Sequence, residues 1–261
     1  MILYAIVFIF GSLIGSFLNV CVYRIPRDRS IVWPSSRCTS CGNPIRPWDN
    51  IPIISFLLLG GKCRTCKASI STRYPLVEAL NAFLYVFLLW RFGPDWPFLI
   101  YALLCSALIV ITFIDLDFQI IPDRITLPGI PLGLLAGSLI LPDPFLRADL
   151  LGWKASVIGA VSGFLFYYFI AVAGEKMLKK EAMGGGDIKL MAMLGGFLGW
   201  KAVILTTFLG SLFGSVIGIF MMLVRGREKG SQIPFGPFLA LGAVVSLFFG
   251  QELLIWYLYR R

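Results

Sequence analysis

The sequence predicts an all-α polytopic membrane protein of about eight transmembrane helices, with a small cytoplasmic zinc-binding segment after the first helix. Three observations predict it. Apolar residues make up 58% of the 261 and charged residues only 14%, with a mean hydropathy of +0.84, which is far from the balance of a soluble domain. The apolar residues fall in membrane-length runs, and the charged ones gather in stretches between them. Four cysteines in two CxxC pairs follow the first run. The net charge of +9 raises the question of nucleic acid, but no basic face is interleaved with aromatics. Basic loops beside apolar spans meet lipid headgroups, so membrane lipids and not nucleic acid are the expected partner.

Residues 1–23 read as the first transmembrane helix. The stretch has no basic start and no small-residue cleavage site, and Arg24, Arg27 and Arg29 follow it, so it is expected to be a retained span with its N-terminus outside. Gly11, Ser12, Gly15, Ser16 and Asn19 recur at helical spacing and suggest a packing face, with Asn19 bonded to a neighbouring helix. Residues 24–74 form the one substantial soluble segment, and their nine Lys/Arg against Asp28 and Asp49 place it in the cytoplasm. Within it Cys38-x2-Cys41 and Cys63-x2-Cys66 offer four thiolates to one tetrahedral zinc ion, and a reducing cytoplasm disfavours the competing disulfides. So small a segment needs a staple, so the expected role of the metal is structural. Cys21 and Cys105 lie in apolar runs and read as core residues.

Residues 75–261 read as a seven-helix membrane domain, with apolar runs near 75–91, 97–114, 125–141, 155–173, 188–199, 202–224 and 235–257. The run from Leu190 to Val224 is too long for one span, and Trp200-Lys201 is the expected turn between two. With the N-terminus outside, 17 Lys/Arg fall in inner loops and 6 outside, as positive-inside topology requires. The same count carries Asp115, at the end of the third span, and Asp187, at the start of the sixth, to one face of the membrane.

There is no histidine. Serine triads, Cys-His dyads and histidine zinc proteases are therefore excluded, leaving carboxylate chemistry, a Ser-Lys dyad using Lys189, or no chemistry. Carboxylates at the mouths of apolar spans are costly and mark functional sites, and the glycines of Gly184-Gly185-Gly186-Asp187 permit close approach. Asp187 also has the simpler reading of a helix cap. Asp115 has no such reading, because it faces the negative pole of its own helix. Asp123 reads as the cap of the next span, and Asp117 and Lys189 as supporting residues. If Asp115 and Asp187 meet, they would share one proton as an aspartic-protease pair.

At these residues the chain resembles the bifunctional type IV prepilin leader peptidase/N-methyltransferases, relatives of the GxGD intramembrane aspartyl proteases. The likeness rests on Gly15-Ser16-Phe17-Leu18-Asn19-Val20 with Arg24-Ile25-Pro26, and on both CxxC pairs with Arg46 to Pro52 and Gly60-Gly61-Lys62 between them. It continues through Arg73-Tyr74-Pro75-Leu76-Val77-Glu78, Asp115-Leu116-Asp117 with Ile121-Pro122-Asp123, Gly184 to Asp187 with Lys189-Leu190, and Ile233-Pro234-Phe235-Gly236-Pro237. The resemblance implies an enzyme of the bacterial inner membrane acting on type IV prepilin or pseudopilin precursors. It removes their leader at the cytoplasmic face and methylates the new N-terminal residue, usually Phe, from S-adenosylmethionine. Asp115 and Asp187 match the catalytic pair, and Cys38, Cys41, Cys63 and Cys66 match a zinc domain associated with methyl transfer. No glycine-rich dinucleotide motif marks the methyl donor's site; Gly61 and Glu78, where the soluble segment meets the membrane, are the expected donor-binding residues. Asp115, Asp117, Asp123 and Asp187 form a negative cluster suited to a basic leader. A cleavage-only peptidase, a transporter and a non-enzymatic scaffold with a zinc domain are the rival readings.

Overall fold

A computed structural model describes residues 1–146, 149–179, 183–225 and 234–259. Arg147, Lys180, Arg227, Lys229, Arg260 and Arg261, which contribute to the charge asymmetry, and Ile233 of the last motif lie outside the described residues. The chain divides into two compact units, residues 1–110 and 111–261.

In the first unit, α1 (Ile2–Arg24) runs beside α3 (Arg73–Phe92). Small residues set their distance. A Cβ on Gly11 would lie 2.8 Å from Ala82 Cα, and one on Gly15 2.7 Å from Glu78 Cα, so these two positions need glycine for backbone contact. Asn19 donates to the Tyr74 carbonyl at 3.1 Å and Asn81 to the Gly11 carbonyl at 2.7 Å. The bonded Asn19 and the small-residue face are thus as the sequence suggested. Ser106, on α4 (Trp96–Phe118), donates to Asn81 and lies 3.0 Å from the Tyr85 hydroxyl, so the buried polar groups satisfy one another. Cys21 and Cys105 are buried.

Between α1 and α3 lie two single 3-10 turns (Ile25–Arg27 and Pro47–Asn50), the short helix α2 (Ile54–Leu58) and two knuckles of the same design. In the first knuckle the Cys38 amide donates to Asn43 and the Gly42 amide to Cys38; in the second, Cys63 donates to Ala68 and Lys67 to Cys63. Arg37 bridges to Pro44 in one and Lys62 to Ser69 in the other. Each closes on a residue in the left-handed region, Gly42 at φ 71° and Lys67 at φ 59°. From Tyr23 to Leu76 the only buried residue is Pro52. The segment has no hydrophobic core of its own.

The second unit holds the end of α4, then α5 (Asp123–Leu139), α6 (Gly152–Leu178), α7 (Gly185–Arg225) and α8 (Gly236–Tyr259). Helix α7 packs on α5, α6 and α8, and glycines line its contacts. Cβ atoms on Gly159 and Gly163 of α6 would meet the carbonyl oxygens of Gly195 and Met191, and one on Gly133 of α5 would lie 2.7 Å from the Phe197 ring. Ser156 seals the approach by donating to the Gly196 carbonyl at 2.7 Å. Packing this close replaces the hydrophobic drive that lipid does not supply.

Among the described residues six helices are long and apolar enough to cross a membrane. That is fewer than the eight expected, because α5 has only 17 residues and 185–225 is a single element broken at Gly199 (φ 78°, ψ 173°). The break falls one residue before the expected Trp200-Lys201 turn, for a backbone reason: only glycine takes that conformation without strain. Lys201 instead pairs with the buried Asp143 at 2.9 Å.

Candidate active site and metal centre

The second unit brings Asp115 and Asp187 together. Asp115 lies one turn from the end of α4, where Gln119 donates to its carbonyl at 2.9 Å in the left-handed conformation (φ 55°) that stops the helix. The chain then turns through Ile121, and Gly186 packs on it; a Cβ there would lie 2.7 Å from Ile121 Cβ. Asp187 follows in the first turn of α7. The contact of Gly186 with Ile121 thus sets the start of α7, with Asp187, against the turn that follows Asp115. Of the three glycines before Asp187, only Gly186 is sterically required: a Cβ on Gly185 would meet open space, and one on Gly184 an ordinary contact at 3.6 Å with Asp187 Oδ2.

Sequence reasoning missed the third participant. The Gly236 amide, first residue of α8, donates to Asp115 Oδ2 at 2.9 Å. Asp115 sits 5% exposed and therefore faces the positive pole of α8, although it ends its own helix at the negative pole. That corrects the view that packing gives it no reason to be there. A Cβ on Gly236 would lie 2.7 Å from the same oxygen. The available signal was a glycine before Pro237 at the head of an apolar run, the pattern of a helix start whose first amides are unpaired. Gly236→Ala is expected to displace the Asp115 carboxylate and lower peptidase kcat by about 100-fold or more, since a misplacement near 1 Å costs that much; kcat measured on a precursor substrate checks it.

Asp187 does not cap α7 with its side chain. Among the described residues its Oδ1 is buried without a hydrogen-bond partner, an arrangement that costs about 1–3 kcal/mol and calls for a functional account. Asp123 is likewise not a cap: Pro122 precedes α5 with no side-chain cap bond, and Asp123 receives Lys189 Nζ at 2.7 Å on both oxygens. Lys189 is thus engaged by Asp123 in an ion pair at the surface and is not directed at a serine. Asp117 is exposed.

In the first unit the Sγ atoms of Cys38, Cys41, Cys63 and Cys66 all lie within 4.8 Å of one another, with Cys38 and Cys66 3.9 Å apart. A tetrahedron with zinc–sulfur bonds of about 2.3 Å has edges of about 3.8 Å, so the donor set fits. Backbone amides of Cys41 and Ser40 hold the Cys38 thiol down to about 6, and those of Cys66 and Thr65 lower that of Cys63. Amides aimed at these two sulfurs favour the thiolates a metal needs, whereas Cys66, with only the Ala68 amide lowering it, is pushed up to about 11 by burial and by the other three sulfurs. Asp49 ties the knuckles to the Pro47 turn through Arg64 at 2.6–3.1 Å.

Beside the knuckles lies a cavity of about 1090 Å³, whose lining includes Cys38 and Cys63, the aromatics Tyr23, Trp33, Phe56 and Tyr74, and Glu78. Gly61 is not in the lining. It sits at φ 66°, accepts the Ile70 amide at 2.7 Å, and a Cβ there would lie 3.0 Å from the Phe56 ring.

Two family models match the chain: the bacterial peptidase A24 N-terminal domain over residues 9–92 and the type IV leader peptidase family over residues 102–219. A prepilin leader peptidase/N-methyltransferase of Pseudomonas aeruginosa is 39% identical, over 95% of this chain and 91% of that protein. Proteins with the same description from Aeromonas hydrophila (38%, covering 98% and 93%) and Neisseria gonorrhoeae (37%, covering 89% and 86%) are also similar. No solved structure gives a significant match. With six membrane-length apolar helices among the described residues and both halves of the family pattern, this chain is a multi-pass membrane protein and a member of the type IV leader peptidase family.

Proposed function

We propose that the chain is an aspartic endopeptidase of the bacterial inner membrane that removes the leader of type IV prepilin-like precursors and then N-methylates the new N-terminus. The observation that carries the peptidase half is the placing of Asp115 and Asp187 in one unit, one anchored by the Gly236 amide and the other with an oxygen unpartnered among the described residues. The Gly236 amide occupies one oxygen of Asp115, so the shared proton is best placed on Asp187 Oδ1. Asp115 takes a proton from the attacking water while Asp187 gives one to the scissile carbonyl. The tetrahedral product then breaks its C–N bond as Asp115 returns its proton to the leaving amine and one hydroxyl of the new carboxylic acid gives its proton back to Asp187. The inner-loop charge excess supports a cytoplasmic face for this site, and exposed Asp117 suits a basic leader.

For methyl transfer, the four cysteines are the residues that would hold zinc, and the neighbouring cavity is the site for S-adenosylmethionine and the acceptor. The volume exceeds most ligand pockets, as two reactants require. The donor supplies an electrophilic methyl group; the chain supplies aromatic walls, arginines and Glu78. Gly61 acts at one remove, by bracing Phe56 against the cavity. Gly61→Ala combines a strained left-handed residue with a push on Phe56, and is expected to cut methylation about tenfold while cleavage persists; survival of full methylation would remove Gly61 from the site. Purified protein in detergent, mixed with a prepilin and S-adenosylmethionine, tests the whole reading by mass: loss of the leader and then a gain of one methyl. Shortening without methyl gain would leave a cleavage-only peptidase.

A further inference from the structure

The cavity beside the knuckles is lined by five arginines, Arg24, Arg29, Arg37, Arg46 and Arg64, and by only two carboxylates. Asp49 is gripped by Arg64 at 2.6 Å. Glu78 meets no Lys or Arg among the described residues; its partners are the Ile53 amide, which donates to Oε2 at 2.8 Å, and Ser16. At 7% exposed, it is a buried carboxylate oriented by neutral donors and lacking a counter-cation. Such a charge is expensive unless a cation joins it. Further strain is invested in aiming it, because Ile53 donates from φ 61°, a region a β-branched residue rarely adopts.

The location tells which cation. Glu78, Ser16 and Asn19 line the cavity from within the membrane-length helices α1 and α3, with Arg24 at the very end of α1, whereas Arg29, Arg37, Arg46 and Arg64 line it from the soluble segment. A methyl donor is water-soluble and carries a carboxylate for the arginines. The acceptor is the end of an apolar helix, arriving on the membrane side with a free α-ammonium. We propose that Glu78 binds the acceptor and not the donor: it holds the α-ammonium of the freshly exposed N-terminus and takes one proton from it. The neutral amine then forms the N–C bond as the sulfur–methyl bond breaks, the electron pair staying on sulfur. The acceptor becomes an N-methylammonium, the sulfonium donor becomes a neutral thioether, and Glu78 returns its proton to solvent. This rests on the methyltransferase reading above.

The test measures binding, in zinc-loaded protein without methyl donor, of a synthetic peptide beginning with Phe and continuing into an apolar helix, against its N-acetylated twin. Wild-type protein is expected to favour the free amine by at least about tenfold, the worth of one charge-assisted hydrogen bond. Glu78→Gln, which keeps an oxygen for the Ile53 amide, is expected to bind both peptides alike and to bind S-adenosylmethionine as before. A preference that survives Glu78→Gln, or a loss of donor binding instead, overturns the assignment. So does a wild-type protein that does not distinguish the two peptides, a comparison that stands even if the variant does not fold. Wild-type protein that binds neither the donor nor the free-amine peptide would instead sink the methyltransferase reading itself.

Discussion

Asp115→Asn and Asp187→Asn are each expected to slow leader cleavage by at least about 1,000-fold, because either change removes one half of a two-carboxylate acid–base pair. The substitutions are nearly isosteric, and an amide oxygen can still accept from Gly236, so the packing around 115 need not change. What is lost is the ability to take the water's proton at 115, or to hand one to the carbonyl at 187. The rate of shortening of a prepilin in detergent, with methylation of an already shortened peptide as the control, checks both. Either variant retaining more than about a tenth of the wild-type rate would end the aspartic mechanism. A Ser-Lys mechanism would give the opposite pattern, with Lys189 essential. Here Lys189 makes a surface pair with Asp123, a contact worth at most about 1 kcal/mol.

Removing the metal is expected to separate the two activities. Between Val22 and Val77 only Pro52 is buried, so nothing apolar holds the two knuckles in register once the thiolates lose their ion. A structural zinc site contributes about 10–16 kcal/mol at neutral pH, far more than the exposed Asp49–Arg64 bridge could supply. Cys63→Ser, or a strong chelator, should therefore unfold the knuckles, dissolve the cavity and reduce methylation by at least about 100-fold. The Asp115–Asp187 pair lies in the other compact unit, so cleavage should fall by less than about tenfold. Measured zinc content, cleavage and methylation in the same preparation decide it; full methylation by metal-free protein would leave the ion no part in the fold of this segment.

How much of this was legible in the sequence depended on how local each interaction is. The clustering of Cys38, Cys41, Cys63 and Cys66 could be read from spacing, since each CxxC turn places its own two sulfurs and a left-handed residue follows. The Gly11, Gly15 and Asn19 face could also be read, because helical spacing alone puts them on one side. Asp115 and Asp187 were brought to one side of the membrane by counting spans. Their mutual orientation was not readable: it depends on Ile121 resting against Gly186, a contact of one particular atom pair. Gly236 was quoted as part of a motif without a role, because its partner is 121 residues away and acts through a backbone amide, which leaves no mark in residue type. The turn placed at Trp200-Lys201 missed Gly199 because interfacial side chains describe where a helix meets the headgroups and not where its backbone can reverse. Asp123 was assigned as a cap from local chemistry, and a lysine 66 residues on took it instead.

Composition and spacing by themselves determined that this protein lives in a membrane, that it carries four cysteines able to close on one metal ion, and that carboxylates are the groups proposed for its chemistry. These are properties of residue type and of separation along the chain, which hydrocarbon and metal ions select directly. The tertiary structure alone decided that Asp115 is held by the start of α8 and that, among the described residues, one oxygen of Asp187 is left unpartnered and Glu78 faces a cavity without a counter-cation. Each of those depends on which helix end meets which side chain, and helix packing fixes that through glycine-sized contacts scattered across the whole chain.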